Sequence, residues 1–176
     1  MDAATSRRDT APLAEAAFAQ LYRDRFAELA GQLYAFTGDT GEAHDLVQEA
    51  FVRAWQRWGM VSGYQDPAGW VRRVAWNLAR NRHRRLRQFR RWATSRRLPE
   101  ATAGAGPDRV VLVAALRQLP EHLRRALVLH YLADLPVAEI AAETGVAVGT
   151  VKSWLHRGRA ELARVLADYR DGGRSR

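Results

Sequence analysis

Between Pro67 and Pro99 the chain carries eleven arginines and no acidic residue. Charges in such number cannot be buried, because an ion taken out of water without a partner costs several kcal/mol. The segment must therefore present one face to solvent or to a polyanion. Its spacing predicts a helix over Asp66–Arg91. Asp66 is a good N-cap, and Pro67 suits the first helical position, where its missing N–H would have no partner anyway. At about 100° per residue, Val71, Val74, Ala75 and Leu78 form one apolar stripe. Arg73, Trp76, Asn77, Arg80, His83 and Arg84 fall on the other side. Arginines that can pair phosphates, beside a ring and an amide that can meet bases, suit a nucleic-acid surface. A solvated basic helix with one tryptophan at a packing seam would give the same pattern, and on this stretch alone both readings stand.

Charge is distributed unevenly around that belt. Residues 1–66 hold ten acidic and six basic residues, residues 67–99 are +11, and residues 100–176 hold nine acidic and eleven basic, which together make the chain's net +9. One basic belt between an acidic and a near-neutral segment points to a specific docking face rather than a general basic coat. An apolar content of 47% is ample for a core. With no cysteine there is no disulfide, thiol catalysis or cysteine-ligated zinc. The five histidines show no metal-ligand spacing and no nucleophile constellation stands out, so neither a cofactor nor an enzymatic role is expected. No apolar run approaches the ~18 residues of a membrane span, and no signal-peptide core precedes the first helix. The expected location is cytoplasmic, with no membrane insertion.

Every other segment also reads as helix, so the expected fold is all-α. Residues 1–12 read as a frayed tail. From Leu13, Phe18, Tyr22, Phe26, Leu29, Leu33 and Phe36 recur at threes and fours. Thr37–Gly41 breaks the pattern, and Asp39 with Glu42 three residues on opens a second helix. There Val47, Ala50, Phe51, Ala54 and Trp58 form the apolar side. Asp45, Gln48, Glu49 and Val52 form the other, with Trp55 at the border. Residues 59–65 read as a loop. After the basic helix, 98–108 is broken by glycine and proline. The expected organisation is a helical domain at 13–91, a flexible linker at 92–107 and a second helical domain at 108–170. The linker would reach ~50–58 Å fully extended. In the second domain, an Ala-rich turn of helix, Gly145 at the reversal and a further helix from about Val148 make a helix-turn-helix pattern. Val151, Leu155, Gly158 and Leu162 line its inner side, and Lys152, Ser153, His156 and Arg157 its outer one. A generic helical hairpin would also fit.

Three motifs in order carry a resemblance. DLVQEAFVRAW (45–55), WVRRVAWNLARN (70–81) and GVAVGTVKSWLHRGRAEL (145–162) resemble segments of bacterial RNA polymerase sigma factors of the extracytoplasmic-function (ECF) group, and within it the actinobacterial SigE-like branch. The resemblance spans roughly residues 14–166. It implies a protein that binds core RNA polymerase, through the β′ clamp helices and the β subunit, and directs promoter-specific initiation without chemistry of its own. Asp45, Gln48, Glu49 and Trp55 would contact the clamp helices. Trp70, Arg73, Trp76, Asn77, Arg80, Asn81 and Arg84 would act at the minus-ten element, where the promoter melts. Thr150, Lys152, Ser153, His156 and Arg157 would face the minus-thirty-five duplex. Promoter DNA is the implied nucleic acid, and an anti-sigma factor a further implied partner. The rival reading is a helix-turn-helix regulator that binds duplex DNA without polymerase. Four positions depart from the family's usual pattern: Trp76 for a small aliphatic residue, Val137 for a capping serine or threonine, Trp154 for an arginine, and Gly158 for an alanine. Trp154 is expected either on a thymine methyl or sugar or packed near Val137.

Overall fold

The computed structural model describes residues 3–90 and 106–172, and every regular element among them is a helix. They are α1 (Ala3–Thr37), α2 (Thr40–Gln56), α3 (Trp58–Val61), α4 (Pro67–Arg90), α5 (Pro107–Gln118), α6 (Glu121–Tyr131), α7 (Val137–Thr144) and α8 (Val148–Gly172). The all-α expectation holds. The expected linker falls outside the described residues except for Gly106 and for Pro107, which opens α5.

Local hydrogen bonding explains where the helices begin. Asp39 Oδ1 accepts the Glu42 backbone N–H at 2.8 Å, and Asp66 Oδ1 accepts that of Gly69 at 2.8 Å. Each carboxylate thereby satisfies one donor that a helix start leaves orphaned. Two boundaries differ from the sequence reading. α1 starts at Ala3 and runs through Pro12, a residue with no N–H to donate to the helix. A single helical turn, α3, occupies Trp58–Val61 and reaches into the expected loop, anchored by Trp58 and Val61, both buried.

By Cα packing the chain forms two compact units, Met1–Gly31 with Ala43–Ser95, and Gln32–Glu42 with Arg96–Arg176. The first has a core of Leu29, Leu46, Val47, Ala50, Phe51, Ala54, Trp58, Val61, Val71, Ala75, Trp76 and Ala79. Phe18 ties its aromatic part together, edge-on to Phe51 (6.0 Å) and Trp58 (5.2 Å) and tilted on Trp55 (4.9 Å). In the second, α8 packs against α5, α6 and α7, around Val113, Leu116, Leu123, Leu127, Ile140, Val151, Leu155 and Val165.

α4 corrects the stripe assignment. Val71, Ala75, Trp76 and Ala79 are buried, whereas Val74 and Leu78 are only half-buried. The inward face is thus rotated by roughly a quarter turn from the aliphatic stripe, and Trp76, expected among the arginines, is 0% exposed. An indole offers about 150–250 Å² of surface, more than Val74 and Leu78 gain by turning fully inward. Small Ala75 and Ala79 beside it leave the room.

Candidate nucleic-acid interface

Three outward faces hold the side chains singled out above. On α2, Asp45, Gln48, Glu49, Val52 and Trp55 are all exposed, with Trp55 48% accessible although its ring leans on Phe18. Glu49 accepts a 2.6 Å bond from Arg53 Nη2, and both side chains are about half exposed. Such a surface pair adds little stability and yields readily to a competing cation.

On α4, Arg73, Asn77, Arg80, Asn81 and Arg84 are exposed and Trp70 is half-buried. At 100° per residue these six lie within an arc of about 100°, opposite the buried Trp76 face. The structure therefore gathers every expected minus-ten residue except Trp76, which is a core residue of the first unit. Fully inside the protein, its ring cannot meet a base. The arc is cationic and carries two amides, so it offers charge for phosphate and paired donor and acceptor groups for base edges.

The third face lies on α8. Gly145 ends α7 at φ 71 in the left-handed region, and its N–H donates to Ala141 O at 2.9 Å. This reversal aims the start of α8 outward. Lys152, Ser153, His156 and Arg157 are exposed and line a shallow groove of about 420 Å³, with Thr150 half-buried beside them. Ser153 Oγ donates to Gly149 O (3.0 Å) and Arg157 Nε to Ser153 O (3.4 Å), so both side chains bond within their own helix.

α8 is held to α6 at three levels. In the middle, a Cβ at Gly158 would stand 3.1 Å from Leu127 Cγ. The glycine read above as a departure is what lets the two helices approach. On one flank the Trp154 ring packs against His122 (5.2 Å), and on the other Arg159 Nη1 donates to Tyr131 Oη (3.1 Å). Trp154 is thus a packing residue on His122, a partner the sequence reading did not foresee. Farther along α8, the hydrogen bond from Arg164, assisted by its charge, holds the Glu161 carboxyl below the usual range.

Two features escaped the sequence reading. Arg124 and Arg125 of α6 are buried, although nothing in their spacing separates them from surface arginines. Phe18 and Tyr22 of α1 stand against Phe51 and Trp55 of α2 and form one groove with them. Their spacing of four marked a helix face, but only packing shows that the face stays partly open.

Known proteins match both units. Residues 20–89 match the family described as Sigma-70 region 2, and residues 109–162 that described as Sigma-70, region 4. The chain is 36% identical over 155 residues to the ECF RNA polymerase sigma factor SigL of Mycobacterium tuberculosis, covering 81% of this chain and 87% of that protein. It is 34% identical over 159 residues to the ECF RNA polymerase sigma factor SigE of Mycolicibacterium smegmatis, covering 84% of this chain and 60% of that longer relative. Among solved structures, the fold resembles the sigma factor RpoE in complex with the anti-sigma factor NepR from Bartonella quintana. There the TM-score is 0.73 at 23% identity, covering 85% of this chain and 96% of that one. CnrH in complex with the cytosolic domain of CnrY gives 0.64 at 24%, covering 88% and 90%. Among the described residues, no helix is long and apolar enough to cross a membrane.

Proposed function

The chain belongs to the extracytoplasmic-function group of RNA polymerase sigma factors, and on that premise we propose how its parts divide the work of promoter-specific initiation with core RNA polymerase. Residues 13–91 form the polymerase-docking and minus-ten domain, and residues 108–170 the minus-thirty-five domain. Asp45, Gln48, Glu49 and Trp55 meet the β′ clamp helices, and the β subunit completes the grip. Acidic and amide groups on an exposed face complement a basic partner helix and steer its approach.

The observation that carries the reading is the outward arc of α4. Trp70, Arg73, Asn77, Arg80, Asn81 and Arg84 share one face, and Val71, Ala75, Trp76 and Ala79 fix the other in the core. Arg73, Arg80 and Arg84 hold the phosphates of the strand to be opened, and the amides of Asn77 and Asn81 meet base edges. Taking a base out of the stack costs a few kcal/mol, which contacts to the freed strand offset. Lys152, Ser153, His156 and Arg157, with Thr150 beside them, enter the major groove of the upstream duplex. The polymerase supplies the chemistry, so the chain itself needs no catalytic residue, and it works in the cytoplasm. An anti-sigma protein is a further partner in this reading, supported by the complex in which RpoE was captured.

Run-off transcription with core polymerase tests the assignment. Wild-type protein should yield promoter-specific transcripts and Asp45→Arg should lose most of them. Absence of any specific transcript from the wild type would overturn the function. An unchanged Asp45→Arg would overturn only the docking face.

A further inference from the structure

One amine stands alone on the outer face of α8. The chain has 28 lysines and arginines together, and Lys152 is the only lysine among them. A guanidinium is delocalised, stays protonated and resists acylation, whereas an ε-amine is a nucleophile and an ordinary target of acyl transfer. Of all the cationic side chains, a single one is therefore open to neutralisation by an acyl group. It is exposed, and it forms no hydrogen bond or ion pair with a described residue. Its setting is the groove of about 420 Å³ that it shares with Ser153, His156 and Arg157, a space that admits a small ligand. Arg157 uses only Nε on the Ser153 carbonyl, which leaves both Nη groups for an anion. His156 follows Lys152 by four residues, one turn along the same face.

We propose that Lys152 is an acylation site, modified by a small acyl phosphate whose phosphate lodges on Arg157, and that the modification weakens the hold of α8 on upstream duplex. The proposal rests on the duplex-reading role of α8 given above and adds its regulation. Chemistry identifies the donor class. A mixed anhydride of a carboxylic acid and phosphate carries a carbonyl for the amine and an anion for the guanidinium. Lys152 Nζ, deprotonated, attacks the carbonyl carbon and forms an N–C bond. The C–O bond to phosphate breaks, and inorganic phosphate leaves with the bonding pair. Of the two protons that the ammonium gives up, His156 takes one and the departing phosphate the other. The product is a neutral amide, with one N–H donor in place of three and no charge to set against the DNA backbone. A bound duplex covers this amine, so the modification acts on chains not yet on a promoter.

The test treats the full chain with acetyl phosphate and maps acetylation by peptide mass spectrometry. The product is assembled with core polymerase, and its affinity is measured for a promoter found by run-off transcription. Lys152 should be labelled, and promoter affinity should fall about tenfold, within the range of one lost base contact. Affinity for core polymerase should not change. Lys152→Arg, whatever its own affinity, should show no further change on treatment. Arg157→Gln should be labelled several-fold more slowly by acetyl phosphate, yet at the wild-type rate by an uncharged active ester. Circular dichroism confirms that the variants fold. An unlabelled Lys152, or an acetylated chain that binds promoter like the untreated one, would overturn the proposal. So would an equal loss in treated Lys152→Arg, which would place the effect elsewhere. Wild-type labelling of Arg157→Gln by acetyl phosphate would overturn the phosphate seat and the donor class with it. Lys152→Glu keeps these outcomes apart from the duplex-reading role. If that variant binds promoter weakly while acetylation has no effect, the role stands and the proposal falls; if it binds like wild type, both fall.

Discussion

Replacing Trp76 with alanine separates a core role from a DNA-contacting one. Trp76 is 0% exposed, and its neighbours on the inward face are Val71, Ala75 and Ala79. The indole removes about 150–250 Å² from water, worth roughly 4–6 kcal/mol at ~25 cal/mol per Å². That figure is an upper bound, because a compact unfolded chain already hides part of this surface. Measured losses for buried Phe or Trp to Ala run about 3–5 kcal/mol, since the neighbours collapse only partly into the void. Two short alanines at 75 and 79 cannot reach across, so Trp76→Ala should lie in that range and Trp76→Phe well below it. Domains of this size hold about 5–15 kcal/mol in all, so the alanine variant should spend a measurable fraction of time unfolded near 37 °C. Because the chain has two units, a single global transition is a poor readout. Amide hydrogen exchange in α2 and α4 reports the right region, with α6 and α8 as internal reference. Protection should fall in α2 and α4, within the first unit, and not in α6 and α8. Promoter preference, corrected for folded fraction, should not change. A variant with wild-type protection in α4 and altered minus-ten preference would refute the core assignment.

The outward arc of the same helix should behave in the opposite way. Asn77→Ala should leave exchange protection intact and alter preference among minus-ten sequences, scored by transcription from a promoter library. Arg80→Ala should weaken open complexes uniformly and reduce the salt slope by about one. In the second unit, Gly145→Ala must place a Cβ at φ 71, which costs ~1–2 kcal/mol and should lower protection in α7 together with affinity for upstream duplex. Near the end of α8, Arg164→Ala should return the Glu161 carboxyl to its ordinary range, read by NMR titration. The lowered folded-state value means that this pair's small stabilisation is present above the unfolded carboxylate pKa and is lost as pH falls through the folded one.

Legibility followed the range of the interactions. The caps at Asp39 and Asp66 and the turn at Gly145 were visible because each depends on residues within three or four positions. The exposed side of α2 was visible because its pattern is clean, with Val47, Ala50, Phe51 and Ala54 inward and Asp45, Gln48 and Glu49 outward. α4 was harder. Its aliphatic stripe and its tryptophan point to nearly opposite sides, the buried face lies between them about a quarter turn from the stripe, and only the neighbouring helices decide that. Counting Val74 and Leu78 while setting Trp76 among the arginines weighted the smaller apolar surfaces above the largest one. The six other minus-ten candidates kept their face because it lies opposite the buried set of Val71, Ala75, Trp76 and Ala79 taken together, although Arg73 and Arg80 neighbour Trp76 on the helix. The α1–α2 groove, the contact of Trp154 with His122 and the crossing of Gly158 on Leu127 all join residues far apart in the chain, and no local pattern reports them.

That crossing has a consequence for how such a protein can change. α8 is fixed in position by Gly158 against Leu127, by Trp154 against His122 and by Arg159 on Tyr131. Its outer residues take no part in this: Ser153 and Arg157 bond to their own helix, and Lys152 and His156 stand exposed. Mechanical seating and chemical legibility are therefore written in different residues of one helix. The four outer positions form an exchangeable cassette, open to retargeting by substitution or selection at small cost in stability. Gly158 is under the contrary constraint, because a Cβ there would stand 3.1 Å from Leu127 Cγ and the Leu127 side chain or the crossing itself would have to give.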